Sequence, residues 1–145
     1  MWNKFFNPKR VALIGATDRP GSVGRAIAHN LLAGRGRRKV FFVNPFRKKV
    51  LGRKTYAHIG EIGGRVDLVI VAVPAPIVPE IAEECVKARV GAVAIVSSGF
   101  AEAGKQGRKL QEETVRRLRG ADIPLLGPNC LGFIRPSAKL NASFA

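Results

Sequence analysis

Short apolar runs without polar alternation recur along the chain, and stretches with helical spacing separate them. The runs cover residues 11–14, 40–43, 68–73 and 92–96, and a weaker fifth covers 123–126 and contains Pro124. Uninterrupted β-branched runs of this length are typical of strands buried on both faces of a parallel sheet. Five strands are therefore predicted.

The intervening segments carry the spacing of amphipathic helices. Val23, Ile27 and Leu31 recur every four residues, and Ser22 is placed to cap a helix that starts at Val23. Residues 77–86 and 110–118 give two more apolar faces, the last ending near Gly120. Alternating strands and helices predict an α/β, Rossmann-like, doubly wound and mainly parallel sheet of five to six strands, with helices on both faces. Residues 48–65 are expected to add a short element and a half-helix.

Composition narrows the class of protein. The 145 residues, 46% hydrophobic and 24% charged, predict one compact domain over residues 1–145. A net charge of +15 indicates an anionic partner, but the cations are scattered and do not interleave with aromatics, which disfavours nucleic acid. No run is long enough to cross a bilayer and no signal peptide is visible, so a cytoplasmic protein without a membrane partner is expected.

The candidate ligand edge is the carboxyl edge of the sheet, where ligands bind in such folds. Each of the five predicted strands ends in a loop rich in Gly, Pro, Ser or Asn, at residues 15–24, 44–49, 74–77, 97–102 and 127–132. Loops of this composition bring backbone amides and small polar groups close to a ligand. Glu102, in the fourth loop, is expected to cap the helix that follows.

The first two loops limit which nucleotide could bind. The glycine fingerprint of dinucleotide-binding folds fails, because Thr17 and Pro20 stand at its second and third glycine positions. The second strand ends in Asn44-Pro45-Phe46-Arg47-Lys48-Lys49 rather than in the acidic residue that would hold the ribose of NAD. A cationic loop there fits a ribose with an extra phosphate. NADP, in an oxidoreductase-type domain, and coenzyme A both meet that description.

Taken together, the loops resemble those of a known family. The segments are VALIGAT at 11–17, PGSVG at 20–24, VNP at 43–45, the run 67–74, SGFAE at 98–102, GPNCLG at 127–132 and LNASFA at 140–145. In this order they are similar to the coenzyme A-binding domain of the nucleoside-diphosphate-forming acyl-CoA synthetases, relatives of the succinyl-CoA synthetase alpha subunit. The resemblance implies either the amino-terminal domain of such a synthetase or a stand-alone coenzyme A-binding protein.

The resemblance implies a role for each loop. The pyrophosphate and pantetheine would be held by Gly15, Ala16, Thr17, Ser22, Val23 and Gly24. The adenosine and its 3′-phosphate would lie against Asn44, Pro45, Arg47 and Lys48. The pantetheine arm would run along Val73, Pro74 and Ala75. The thiol end would be flanked by Ser98, Gly99, Phe100, Asn129 and Cys130.

The resemblance also implies that this chain binds coenzyme A or acyl-CoA without turnover. In the family, a phosphorylated histidine and a nucleotide-grasp module lie on further ligase domains, which are the expected partners. His29 and His58 match neither role. No base accompanies Cys130, and no spacing suits a metal. No catalytic or metal-binding residue is therefore predicted. Separately, the arginine-rich third helix indicates a thermophilic source.

Overall fold

The computed structural model describes residues 2–34 and 38–145 and places seven of its strands in one sheet. They are β1 (Arg10–Ile14), β2 (Lys39–Val43), β3 (Lys49–Val50), β4 (Arg53–Tyr56), β5 (Leu68–Val71), β6 (Ala92–Ile95) and β7 (Leu125–Leu126). The spatial order is β3-β4-β2-β1-β5-β6-β7, and only the β3–β4 pair is antiparallel within this sheet. Strands β2, β3 and β4 lie on one side of β1, and β5, β6 and β7 lie on its other side. The predicted doubly wound, mainly parallel sheet is confirmed.

Helices cover both faces of the sheet, as predicted. They are α1 (Asn3–Phe6), α2 (Val23–Ala33), α3 (Val78–Lys87) and α4 (Lys105–Gly120). Successive residues of a strand point to opposite faces. Val11 and Leu13 of β1 accordingly pack in the layer that contains α2, whereas Ala12 and Ile14 pack with α3 and α4. All four are almost fully buried, so β1 lies at the centre of the core.

The sheet has seven strands rather than the five to six that were predicted, because β3 and β4 form a hairpin within residues 48–65. Its two-residue turn holds Leu51 and Gly52 at φ of 49° and 73°, which is the left-handed backbone of a type I′ turn. Such turns are usually marked by Asn-Gly or Asp-Gly, so Leu-Gly gave no hairpin signal. The half-helix expected in this stretch is a single 3-10 turn, Ile59–Glu61.

A second hairpin lies outside the main sheet and was not predicted. Strands β8 (Gly132–Arg135) and β9 (Leu140–Ser143) pair with each other and pack over α2. Asn30 of α2 donates its amide to the Ser143 carbonyl oxygen at 2.9 Å. This hairpin fixes the positions of the residues immediately before and after it, Leu131 and Phe144.

The third predicted strand ends earlier than the apolar run suggests. Strand β5 stops at Val71, and the Val73 amide donates to the Ser97 hydroxyl at 3.1 Å instead of continuing the ladder. Residues 72 and 73 therefore belong to the loop at the carboxyl edge, where the candidate site lies.

Candidate functional site

The loop after β1 and the first turn of α2 approach their neighbours so closely that one position in each, Gly15 and Gly24, accepts only glycine. A Cβ on Gly15 would stand 2.1 Å from the Ala72 carbonyl oxygen, and Gly15 also has a φ of 96°. A Cβ on Gly24 would stand 2.2 Å from the Gly15 carbonyl oxygen. The start of α2 is thus held directly against the loop, and the loop against the end of β5.

The amino terminus of α2 is capped as predicted. Ser22 accepts a hydrogen bond from the Arg25 amide at 3.2 Å and donates its hydroxyl to the Arg19 carbonyl at 2.7 Å. The first turn contains no acidic residue, and the amino end of a helix carries a partial positive charge. This end of α2 therefore favours an anion.

A cleft of about 680 Å³ opens at the carboxyl edge, between the loops that follow β1, β5, β6 and β7. Strand order reverses between β1 and β5, and ligands bind at such switch points in open α/β sheets. Ten of the predicted site residues line the cleft: Gly15, Thr17, Ser22, Val23, Gly24, Val73, Pro74, Ser98, Asn129 and Cys130. Val23, expected on the apolar face of its helix, is 43% exposed and faces this cleft.

Seven further residues line the cleft and were not predicted: Arg19, Gly21, Ala72, Val96, Ser97, Leu131 and Phe144. Arg19 lies in the loop after β1. A cation in a turn that is suited to binding an anion was the sequence signal that could have identified it. Ser97 ends the fourth apolar run and joins two strand ends through the Val73 amide. Leu131 and Phe144 reach the cleft only because the β8–β9 hairpin brings them there, which residue patterns do not reveal.

Some predicted residues are not among those that line the cleft. Ala16 and Phe100 are completely buried, and Ala75 is 6% exposed. Phe100 packs in the core layer of α3 and α4, so its side chain cannot flank a ligand in this conformation. Only the backbone of residues 99 and 100 is left to contribute at this edge.

Glu102 fixes the backbone of that same loop rather than capping the next helix, so the expected cap was wrong. Its carboxylate accepts the Gly99 amide at 3.0 Å and the Phe100 amide at 2.7 Å. These bonds lower the pKa of the Glu102 carboxyl, and the Gly99 amide contributes most. Helix α4 instead begins after Gly104, without a side-chain cap.

The basic loop after β2 is tied to the loop after β1. The Asn44 side-chain amide donates to the Ala16 carbonyl at 2.9 Å, and its oxygen accepts the Phe46 amide at 2.9 Å. Arg47 forms an ion pair with Asp18 at 2.6 Å, and both side chains are about 40% exposed. Pro45 and Lys48 are exposed. This loop forms a basic rim beside the cleft and does not line it.

Cys130, Cys85 and His58 are three further reactive groups. The Cys130 thiol donates to the Ile95 carbonyl at 3.3 Å, and burial raises the pKa of the Cys85 thiol to about 12. His58 is exposed and meets Glu84 at 3.2 Å beside a separate cleft of about 550 Å³, between the 3-10 turn and α3. Within residues 2–34 and 38–145, no group of three potential metal ligands occurs and no helix is long and apolar enough to span a membrane.

Comparisons with known proteins agree with this geometry. A family model described as a CoA binding domain matches residues 9–136. The chain is 41% identical over 143 residues to the alpha subunit of the ADP-forming acetate–CoA ligase I of Pyrococcus furiosus, covering 96% of this chain and 31% of that protein. It is also 41% identical over 142 residues to the ADP-forming acetate–CoA ligase I of Archaeoglobus fulgidus, covering 98% of this chain and 20% of the other.

A solved structure has the same fold over almost the whole chain. It is the dinucleotide forming acetyl-coenzyme A synthetase 1 of Candidatus Korarchaeum cryptofilum in complex with phosphate and ADP. The TM-score is 0.93 at 34% identity, and the match covers 99% of this chain and 31% of that one. The chain therefore spans about a third or less of the length of these relatives.

Proposed function

This chain belongs to the CoA-binding domain family, and on that premise we propose that it holds coenzyme A across the carboxyl edge of its sheet. The supporting observation is the cleft at the strand switch point, which is lined by backbone amides, small hydroxyls and one cation. The membership favours coenzyme A over NADP, the other ligand that fits a basic loop after the second strand.

The pyrophosphate would lie against the amino end of α2. Gly15, Ala16 and Gly24 would contribute main-chain contacts, and a Cβ at either glycine would meet a backbone oxygen closer than van der Waals contact allows. Thr17 and Ser22 would add hydroxyls. Arg19, which the sequence analysis did not single out, would add a charged side chain, the one that lines this cleft among residues 2–34 and 38–145.

The pantetheine arm and the thiol would extend from there across the strand ends. Val73, Pro74 and Val23 line the cleft and would give the arm apolar contacts, while Ala75 is buried in the core cluster against which Val73 packs. The thiol end would meet Ser98, Asn129 and Cys130, together with the backbone of Gly99 and Phe100. Glu102 would hold that backbone in position through its two hydrogen bonds.

The adenosine would rest on the basic rim. Asn44 uses its side chain within the fold, so its role would be to position the loop for Pro45 and the cations. Lys48 is exposed and available to the 3′-phosphate. Arg47 already has a carboxylate partner, Asp18, so a phosphate would have to share or displace that contact.

We also propose that residues 1–145 form one coenzyme A-binding unit that works with further ligase domains or subunits. The support is the length of the relatives, of which the chain spans 31% and 20%. The acyl phosphate, phosphohistidine and nucleotide steps of such a ligase would take place with those partners. This chain alone would bind the ligand and not turn it over.

The test is calorimetric titration with coenzyme A, dephospho-coenzyme A and NADPH. Coenzyme A is expected to bind more tightly than dephospho-coenzyme A, because a charge-assisted phosphate contact contributes about 1.5–3 kcal/mol. NADPH is expected to bind least. The double variant Arg47→Ala/Lys48→Ala is expected to narrow the gap between the first two ligands.

A control variant removes two positive charges from α4 instead of from the basic rim. Arg116 and Arg119 are exposed in the last turns of α4, and Arg116→Ala/Arg119→Ala should leave the gap unchanged. Equal affinity of the wild type for the two ligands would remove the role of the basic rim. No saturable binding of coenzyme A would remove the proposed function.

A further inference from the structure

Phe46 is the most exposed of the large apolar side chains in the described part of the chain, and the fold does not use its ring. Its exposure is 93%, against 62% for Trp2, whose ring packs at 5.9 Å and 6.3 Å from those of Phe5 and Phe6. Removing apolar surface from water is the main favourable contribution to folding. The Phe46 ring contributes almost nothing to folding in this way, because it stays in water. An aromatic ring left in solvent beside a ligand cleft is available to a ligand.

The backbone that carries this ring is anchored on both sides. The Phe46 amide donates to the Asn44 side-chain oxygen, and Asn44 donates to the Ala16 carbonyl, both at 2.9 Å. The next residue, Arg47, is paired with Asp18 at 2.6 Å. Ala16 and Asp18 both lie in the loop after β1, in which Gly15, Thr17 and Arg19 line the cleft. The backbone of Phe46 is therefore held at a fixed place on the basic rim, mainly through Asn44, and presents the ring to solvent there.

The chemistry of the rim matches that of a nucleotide. A purine presents a flat π surface, and stacking on an aromatic side chain is a common way for proteins to hold a base. The cations Arg47 and Lys48 directly follow Phe46, so one short loop offers a stacking face together with positive charge for a phosphate on the same ribose. We infer that Phe46 is the face on which the adenine ring of coenzyme A stacks. This inference rests on the proposed function.

Three ligands distinguish the contribution of the adenine base to affinity from that of the rest of coenzyme A. Coenzyme A and dephospho-coenzyme A carry adenine, whereas 4′-phosphopantetheine does not. Phe46→Ala is expected to weaken binding of the two adenine-bearing ligands by the same factor, roughly tenfold. It is expected to leave 4′-phosphopantetheine unchanged. The opposite pattern is expected of Arg47→Ala/Lys48→Ala, which should affect coenzyme A more than dephospho-coenzyme A.

Further variants distinguish stacking from apolar bulk. Phe46→Trp should retain affinity, and Phe46→Leu should lose nearly as much as Phe46→Ala. Trp2→Ala, which removes another exposed aromatic near the opposite, amino edge of β1, should change none of the three affinities.

Two results would overturn the inference while the proposed function stood. One is a coenzyme A affinity for Phe46→Ala within about twofold of the wild type, a difference too small for a lost stacking contact. The other is a parallel loss of 4′-phosphopantetheine binding, which would mean that the substitution disturbs the loop rather than the base. Failure of the wild type to bind coenzyme A at all would instead remove both proposals.

Discussion

Replacing Gly24 by alanine should destabilise the protein, although the same change usually stabilises a helix. Alanine is more favourable than glycine by up to about 1 kcal/mol within a helix. The new Cβ of Gly24→Ala, however, would stand 2.2 Å from the Gly15 carbonyl oxygen and 3.1 Å from the Thr17 methyl carbon. Ordinary contact begins at 3.4 Å. The start of α2 would therefore have to move by about 1 Å away from a loop that is itself packed against β5.

The expected size follows from these opposing contributions. Overpacking costs roughly 1–3 kcal/mol, and contact with the Gly15 backbone, which cannot rotate aside as a flexible side chain can, places this site at the upper end. Subtracting the gain in helix propensity leaves a net loss of about 2 kcal/mol in the free energy of unfolding. For a chain of this size the melting temperature should fall by about 4–8 °C.

The measurement is thermal and urea unfolding of two variants made in parallel. Gly120 ends α4, and a Cβ there would meet nothing within 4 Å. Gly120→Ala should therefore stabilise the protein by a few tenths of a kcal/mol, up to about 1 kcal/mol. The reasoning fails if Gly24→Ala proves as stable as the wild type or shifts stability in the same direction as Gly120→Ala.

Three other predictions follow from the contacts at this edge. Asp18→Asn frees Arg47 from its carboxylate and removes a repulsive charge, so coenzyme A should bind about two- to fivefold more tightly by calorimetry; weaker binding would mean that the pair positions the cation. The pKa of Glu102 is lowered by folding, so its contribution to stability is present above its unfolded pKa of about 4.3 and is lost as pH falls through the lower folded value. Protection of the Gly99 and Phe100 amide protons from exchange, measured against the intrinsic rate at each pH, should fall over that acidic range, and Glu102→Gln should abolish this pH dependence. A thiol reagent should label Cys130 in the native protein and Cys85 only after unfolding, with coenzyme A slowing the first reaction and unchanged labelling counting against a ligand in the cleft.

The strands at the centre of the sheet were predictable because they are buried on both faces. Such strands must be apolar throughout, and the run at 11–14 coincides with all of β1 except its first residue. Strands β3 and β4, which lie together at one end of the sheet, are not subject to this constraint. Strand β4 has two exposed basic residues among four, and its partner β3 has only two residues, so neither differs from a loop in composition.

The location of the cleft was predictable for a related reason. The carboxyl ends of parallel strands meet at one edge, so loops far apart in the chain converge without any need to know their conformation. Which side chain of a loop turns outward depends on packing instead. The family resemblance implied that Phe100 flanks the thiol end of the ligand, yet its ring occupies the core layer of α3 and α4.

Composition sets the total charge of the chain, whereas the fold determines which charged side chains reach the cleft. A net charge of +15 correctly favours an anionic partner, but Arg19 is the only charged side chain lining the cleft in the described part of the chain. The excess charge can raise the rate at which an anion arrives, because it acts over the whole surface. Within the cleft, an anion would be held mainly by backbone amides at the start of α2, whose positions depend on the close approach of Gly15 and Gly24. Affinity for a phosphate there should therefore respond more to a methyl group on either glycine than to removal of a distant cation.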